Sequence, residues 1–210
     1  MSPEKVAYWY FRLNGFFMLE NFVIHPGENG GQRTDADILA IRFPNRAERF
    51  VDDPTDIMED DTAGLRLSNS VVDIVIAEVK AGRVKLNGPW TKEERQNIDR
   101  VIAAIGCLPR KKIRRAATAL YQAGLYEQGD LRIRLVAVGR VRDESTAEQY
   151  PGVIQVLWHE MLNFIWRRFR KYAQQKADVQ QWDDTGRELK NLAEHHERDD
   201  FASKVIANFH

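Results

Sequence analysis

The residues best suited to chemistry stand at the ends of two apolar runs. Val71-Val72-Asp73-Ile74-Val75-Ile76-Ala77-Glu78-Val79-Lys80 finishes in a carboxylate and an ammonium separated by one residue. Side chains alternate across a β-strand, so Glu78 and Lys80 project from the same face. Such a pair at the end of a buried strand is costly to desolvate unless it is ion-paired or binds a metal. A second run, Asp37-Ile38-Leu39-Ala40-Ile41-Arg42, opens with a carboxylate. Two carboxylates and a lysine gathered at strand ends can hold Mg²⁺ and set a water molecule against a phosphodiester.

Each residue has a chemical and a plainer reading. Asp37 and Glu78 are the expected metal ligands, because Mg²⁺ keeps several waters and takes one or two protein carboxylates plus substrate oxygens. Lys80 is expected to orient or deprotonate the attacking water and to offset charge growing in the transition state. The plainer reading makes Glu78 and Lys80 the solvated end of an edge strand. Asp35 shares the parity of Asp37 but does not adjoin the apolar run. Asp73 has the opposite parity to Glu78 and is expected in a buried hydrogen bond or a bulge. Glu20 lies in an earlier strand, either near the site or simply exposed.

The bulk properties narrow the function classes. The chain has 210 residues, with 31 Lys+Arg balancing 31 Asp+Glu. That balance differs from the strongly basic signature of a non-specific nucleic-acid coat. It hides local asymmetry, however. Residues 48–61 are acidic, whereas 110–115, 132–142 and 167–171 are basic, so one face can still be positive. A single Cys107 excludes an intramolecular disulfide and a cysteine-based zinc site. No apolar run approaches the roughly 18 residues of a membrane helix, and a soluble cytoplasmic protein is the expectation. A Gly-rich phosphate loop followed by lysine is absent, and His159-Glu160 lacks the second histidine of a zincin helix. Glu194-His195-His196-Glu197 has metal-ligand types near the end of the chain.

Stepping along the chain, Ser2-Pro3-Glu4 starts a helix that ends at Asn14-Gly15. Phe16 to His25 reads as a strand, 26–31 as a loop, and 34–42 as a second strand. Residues 44–70 form a polar, acidic insertion, either ordered or a mobile flap. Val71 to Lys80 is the third strand, extended as a hairpin by Val84-Lys85-Leu86. Thr91 with Glu94 marks a capped helix to about Ile105. A helix over Lys111 to Gly124 and a strand over Leu131 to Val141 follow. From Ile154 to Tyr172, apolar residues at steps of three and four mark one long helix, with another over Thr185 to His196.

The order of these pieces resembles the PD-(D/E)xK nuclease superfamily, and most closely the archaeal Holliday-junction resolvases. The resemblance rests on the helix closing in Asn14-Gly15-Phe16, on Asp37-Ile38-Leu39-Ala40-Ile41, and on Ile76-Ala77-Glu78-Val79-Lys80. It implies a restriction-endonuclease-like α/β fold, a mixed sheet flanked by helices, with a nuclease core over 1–145 and a C-terminal helical extension over 151–210. It implies catalysis by Asp37, Glu78 and Lys80, with Mg²⁺ (or Mn²⁺ in its place) on Asp37 and Glu78. It adds Glu4 as a further acid, the plainer role of Glu4 being a favourable first-turn charge. It also adds Gln96 as a group that hydrogen-bonds substrate or metal-bound water. The implied partner is nucleic acid, DNA rather than RNA, with no membrane. The helical tail leaves room for a homodimer or a protein partner. The rival expectation is a catalytically degenerate nuclease-fold module that binds nucleic acid or a partner protein. The interval from Asp37 to Glu78 is longer than in compact resolvases because of the acidic insertion.

Overall fold

Local chemistry sets the first element. Ser2 accepts a hydrogen bond from the Lys5 N–H at 3.2 Å, Pro3 opens the helix, and Asn14 closes it ahead of Gly15 at φ +78°. That helix, α1 (Pro3–Leu13), buries Val6, Trp9, Tyr10 and Leu13. The computed structural model describes residues 1–24, 34–50 and 52–209, so the loop expected at 26–31 lies outside the described residues.

Strands β1 (Phe17–Ile24), β2 (Thr34–Arg42), β3 (Val72–Val79), β4 (Leu125–Gln128), β5 (Leu131–Gly139) and β6 (Ile154–Leu157) form one six-stranded mixed sheet. The order runs β1-β2-β3-β5-β4, with β6 also against β5. β2 runs antiparallel to both β1 and β3, whereas β3 and β5 are parallel. β4 covers the first half of the outer edge of β5 and β6 covers the second, with Leu125 opposite Arg134 and Ile154 opposite Val136. The remaining helices are α2 (Gly88–Thr91), α3 (Asn97–Ile105), α4 (Arg110–Ala123), α5 (Glu144–Gln149), α6 (Trp158–Lys171), α7 (Asp184–His195) and α8 (Arg198–Ala207).

Strand alternation divides the interior in two. Val75, Ala77 and Val79 meet α1, α6, α7 and α8 on one face. Ile74 and Ile76 meet α3, α4 and Trp90 on the other. The chain is therefore a mixed α/β protein whose sheet has helices on both sides. The C-terminal helices spend their apolar stripes here, since Phe169, Leu189, Phe201 and Val205 are fully buried against α1 and the sheet.

Four elements differ from the sequence reading. The helix expected from Thr91 to Ile105 is broken into α2, a single 3₁₀ turn at Glu93–Arg95, and α3, with Gln96 left-handed at φ +53° between them. Burying Trp90 beneath the sheet while also burying Ile98, Val101 and Ile102 requires that break. Val84-Lys85-Leu86 forms no hairpin strand. Instead the 82–84 segment crosses the end of β5, joined by an isolated bridge between Arg83 and Val141. The long C-terminal helix begins at Trp158, because Ile154–Leu157 pair with the free half-edge of β5 as β6. β4, turned into β5 by Gly129 at φ +61°, carried no strand signal in the sequence.

The acidic stretch is ordered by ion pairs. Glu48 accepts from Arg46, Arg168 and Lys176 at 2.9, 2.6 and 2.7 Å, and Asp60 from Arg42 and Arg46 at 3.1 and 2.6 Å. Burial alone would raise the Glu48 carboxyl, but the Lys176 ammonium and the two guanidinium groups outweigh it and hold it at about 2. Asp73 is buried on the face opposite Glu78, as its parity implies. It accepts from Arg132 at 2.8 Å and Arg134 at 2.6 Å.

Candidate active site

The site is built where β2 enters the sheet and β3 leaves it. In the β2–β3 ladder Ile38 stands opposite Ala77. Continuing that register by one residue sets Asp37 across from Glu78. The pleat slips at this point. Ala36 packs on the α3/α4 side and Ile38 on the α1/α6 side, although residues two apart in a regular strand share a face. The β1–β2 ladder passes from Glu20–Ile38 to Phe22–Ala36 without pairing Asn21 to Asp37, and Asn21 sits at φ +50°. Irregularities of this kind re-aim a side chain. Here Asp37 turns toward the end of β3, where its Oδ2 accepts the Val79 N–H at 2.7 Å.

Glu78 is buried on the α3/α4 side, beyond Ile74 and Ile76. Three donors hold it. Asn87 Nδ2 and Lys80 Nζ both reach Oε1, and the Trp90 indole N–H reaches Oε2 at 2.7 Å. The Lys80 side chain is 36% exposed and that of Glu78 only 4%, so the ammonium faces outward from an anchored carboxylate. The main chain of Lys80 is fixed from both sides, its N–H donating to Val138 at 3.0 Å and its carbonyl accepting the Trp158 indole N–H at 2.9 Å. Gly139 permits this packing, because a Cβ there would lie 2.7 Å from the Val84 nitrogen and 2.8 Å from the Gly82 oxygen.

The electrostatics bind the group together. Burial pushes the Asp37 carboxyl up to about 6, against the opposing Val79 N–H. The Glu78 charge adds to the rise, Lys80 counters it, and Glu4 contributes from the first turn of α1. A half-buried carboxylate holding one N–H donor and facing a second carboxylate favours a proton or a cation. That donor set fits a hard, oxygen-ligated ion that keeps most of its waters. Among the described residues no cluster of three or more His, Cys, Asp or Glu side chains is placed to hold a metal. Asp37 and Glu78 would thus supply a sparse, two-carboxylate site.

Other sequence candidates lie elsewhere. Gln96 is exposed and lines a depression with Asp99, Arg100, Arg110 and Arg114, which contains none of Asp37, Glu78 or Lys80. Glu20 pairs with Lys5 at 2.5 Å. His195 Nδ1 is at 2.8 Å from the Asn191 carbonyl, and His196 pairs with Asp200 at 2.7 Å. Of the basic cluster at 167–171, Arg168 is buried on Glu48 and Lys171 pairs with Glu59. The sequence reading missed Asn87, Trp90 and Trp158, the residues that hold Glu78 and Lys80 in place. A buried tryptophan needs a partner for its N–H, and Asn87-Gly88-Pro89-Trp90 so soon after a strand-end acid was the available signal.

Comparison with family models, with curated proteins and with solved structures finds no match. No helix among the described residues is long and apolar enough to cross a membrane.

Proposed function

We propose that this chain is a Mg²⁺-dependent nuclease that hydrolyses phosphodiester bonds, a DNA endonuclease built on a restriction-endonuclease-like core. One observation carries the reading: the strand slip that turns Asp37 out of the sheet toward an anchored Glu78–Lys80 pair. A strand end serving only to blunt an edge needs neither the slip nor a carboxylate destabilised in its charged form.

Asp37 and Glu78 would hold the ion, with Mn²⁺ able to replace Mg²⁺. When bound, the metal supplies Lewis-acid polarisation of the phosphate and a lowered pKa for a coordinated water. The remaining work falls to the chain. Asn87 and Trp90 hold Glu78 fixed under the sheet. Lys80, tethered to that carboxylate, presents its Nζ to the attacking water and to the charge that develops on the phosphate oxygens. Asp37 must be ionised to act, so activity is expected to fall below about pH 6. Glu4 adds negative charge near Asp37, which favours cation over proton when divalent ion is plentiful.

The engagement of both Glu78 oxygens favours a second reading, a nuclease-like module that binds nucleic acid without cutting. Plasmid and oligonucleotide cleavage across a Mg²⁺ and Mn²⁺ titration separates the two. The hydrolase reading expects nicking that EDTA stops and that Lys80→Ala abolishes with the circular dichroism spectrum intact. Nucleic-acid binding without cleavage in either metal establishes the module instead.

A further inference from the structure

A cleft of about 700 Å³ lies beside the outer edge of β6 and under α6. Four arginines line it, Arg66, Arg142, Arg167 and Arg198, against two carboxylates, Asp61 and Glu160. The carboxylates are already engaged. Asp61 accepts from the Tyr10 hydroxyl at 2.7 Å and the Gly64 N–H at 3.1 Å, and Glu160 from Arg142 at 2.9 Å and the Leu157 N–H at 3.2 Å. Arg198 is drawn to Asp199 at 3.1 Å. The exposed guanidinium groups of Arg66 and Arg167 make no ion pair or hydrogen bond among the described residues. Behind Arg66, the buried Arg132 and Arg134 both pair with Asp73, and Arg132 also lies 4.0 Å from Glu127, so these two arginines are balanced within the fold and leave Arg66 as the free charge.

None of Asp37, Glu78 and Lys80 lines the cleft, but two contacts tie its rim to the end of β3. Glu160, which Arg142 reaches from the segment after β5, lies in the first turn of α6, and Trp158 in that same turn donates to the Lys80 carbonyl. Arg83, just past Lys80, donates to the Arg142 carbonyl at 3.5 Å. We infer that the arginine cleft binds the phosphodiester backbone of a nucleic-acid strand and leads it to the Asp37–Glu78–Lys80 site. This inference rests on the nuclease reading for its direction, but the cleft's own binding does not require cleavage. Unpaired arginines match phosphate oxygens with two parallel N–H donors each.

The test is fluorescence anisotropy with labelled single-stranded and duplex DNA and RNA, in EDTA so that no strand is cut. The Arg66→Gln/Arg167→Gln variant removes two charges that take part in no internal pair, so the fold is retained. A control, Lys111→Gln/Arg115→Gln, removes two exposed charges from α4 on the opposite side of the sheet. The cleft variant is expected to bind about tenfold more weakly, with its log–log salt slope shallower by about 1–2, and the control to bind as wild type. Binding of either DNA or RNA with this pattern upholds the inference. No binding by wild type, equal weakening in both variants, or competition by polyglutamate as strong as by an oligonucleotide of equal charge overturns it. Cleft-dependent binding without metal-dependent cutting would defeat the hydrolase reading alone. Cutting and binding both insensitive to Arg66 and Arg167 would defeat the cleft alone.

Discussion

Replacing Asp37 with asparagine should stabilise the protein while removing its chemistry. The variant keeps an acceptor for the Val79 N–H, which Asp37 Oδ2 meets at 2.7 Å, but carries no charge. In the folded chain the carboxyl ionises only at about 6 instead of 3.8, so its charged form is held at a cost. At ~1.36 kcal/mol per pKa unit that difference is at most about 3 kcal/mol. Asp37 is only half-buried, and solvent screening reduces the effect to about 1–1.5 kcal/mol. The sign follows from linkage. Because the folded pKa lies above the unfolded one, the wild type has no penalty below about pH 4 and incurs it progressively to about pH 6. Thermal or urea unfolding across pH in EDTA should show Asp37→Asn equal to wild type in acid. Above pH 6 it should be more stable, by about 2–6 °C in Tm. Adding Mg²⁺ should then raise the wild type and leave the variant unchanged. A variant no more stable than wild type at pH 8, or an advantage that does not change with pH, would refute the argument.

Three further substitutions probe the supporting structure. Trp90→Phe removes the donor to Glu78 Oε2 and should cost about 2 kcal/mol in urea unfolding, with a loss of cleavage. Gly139→Val forces a Cβ against the Val84 nitrogen and the Gly82 oxygen; it should lower cleavage by displacing Lys80 while the far-UV spectrum is kept. Asp73→Ala leaves Arg132 and Arg134 buried without their carboxylate and should cost about 3–5 kcal/mol, read as a lower urea midpoint.

How much of this was legible in the sequence depends on which force set each feature. Parity arguments along one strand are local, and they placed Glu78 and Lys80 together and Asp73 on the other face. The ends of α1 and α4 follow from Ser2-Pro3 and from Gly15 and Gly124, because capping chemistry is also local. Ile154–Leu157 misled because Ile154 and Trp158 stand four apart, a helical step. Only the vacant half-edge of β5 makes those residues a strand, and that vacancy is a tertiary fact. The break at Gln96 has the same origin, since the Thr91/Glu94 capping signal yields to the burial of Trp90. The sequence left the acidic stretch open between an ordered insertion and a mobile flap because its partners, Arg168 and Lys176, lie more than a hundred residues away in sequence. The slip at Asp37 has no sequence signature beyond an aspartate beginning an apolar run.

The most direct test is electron paramagnetic resonance of Mn²⁺ titrated into the protein near neutral pH, for wild type and for Asp37→Asn/Glu78→Gln. Free Mn²⁺ should disappear from the six-line spectrum on adding wild type, reappear as the pH falls below about 6, and stay free with the variant. Equal capture of Mn²⁺ by both proteins, or none by wild type, would contradict a metal site on these two carboxylates.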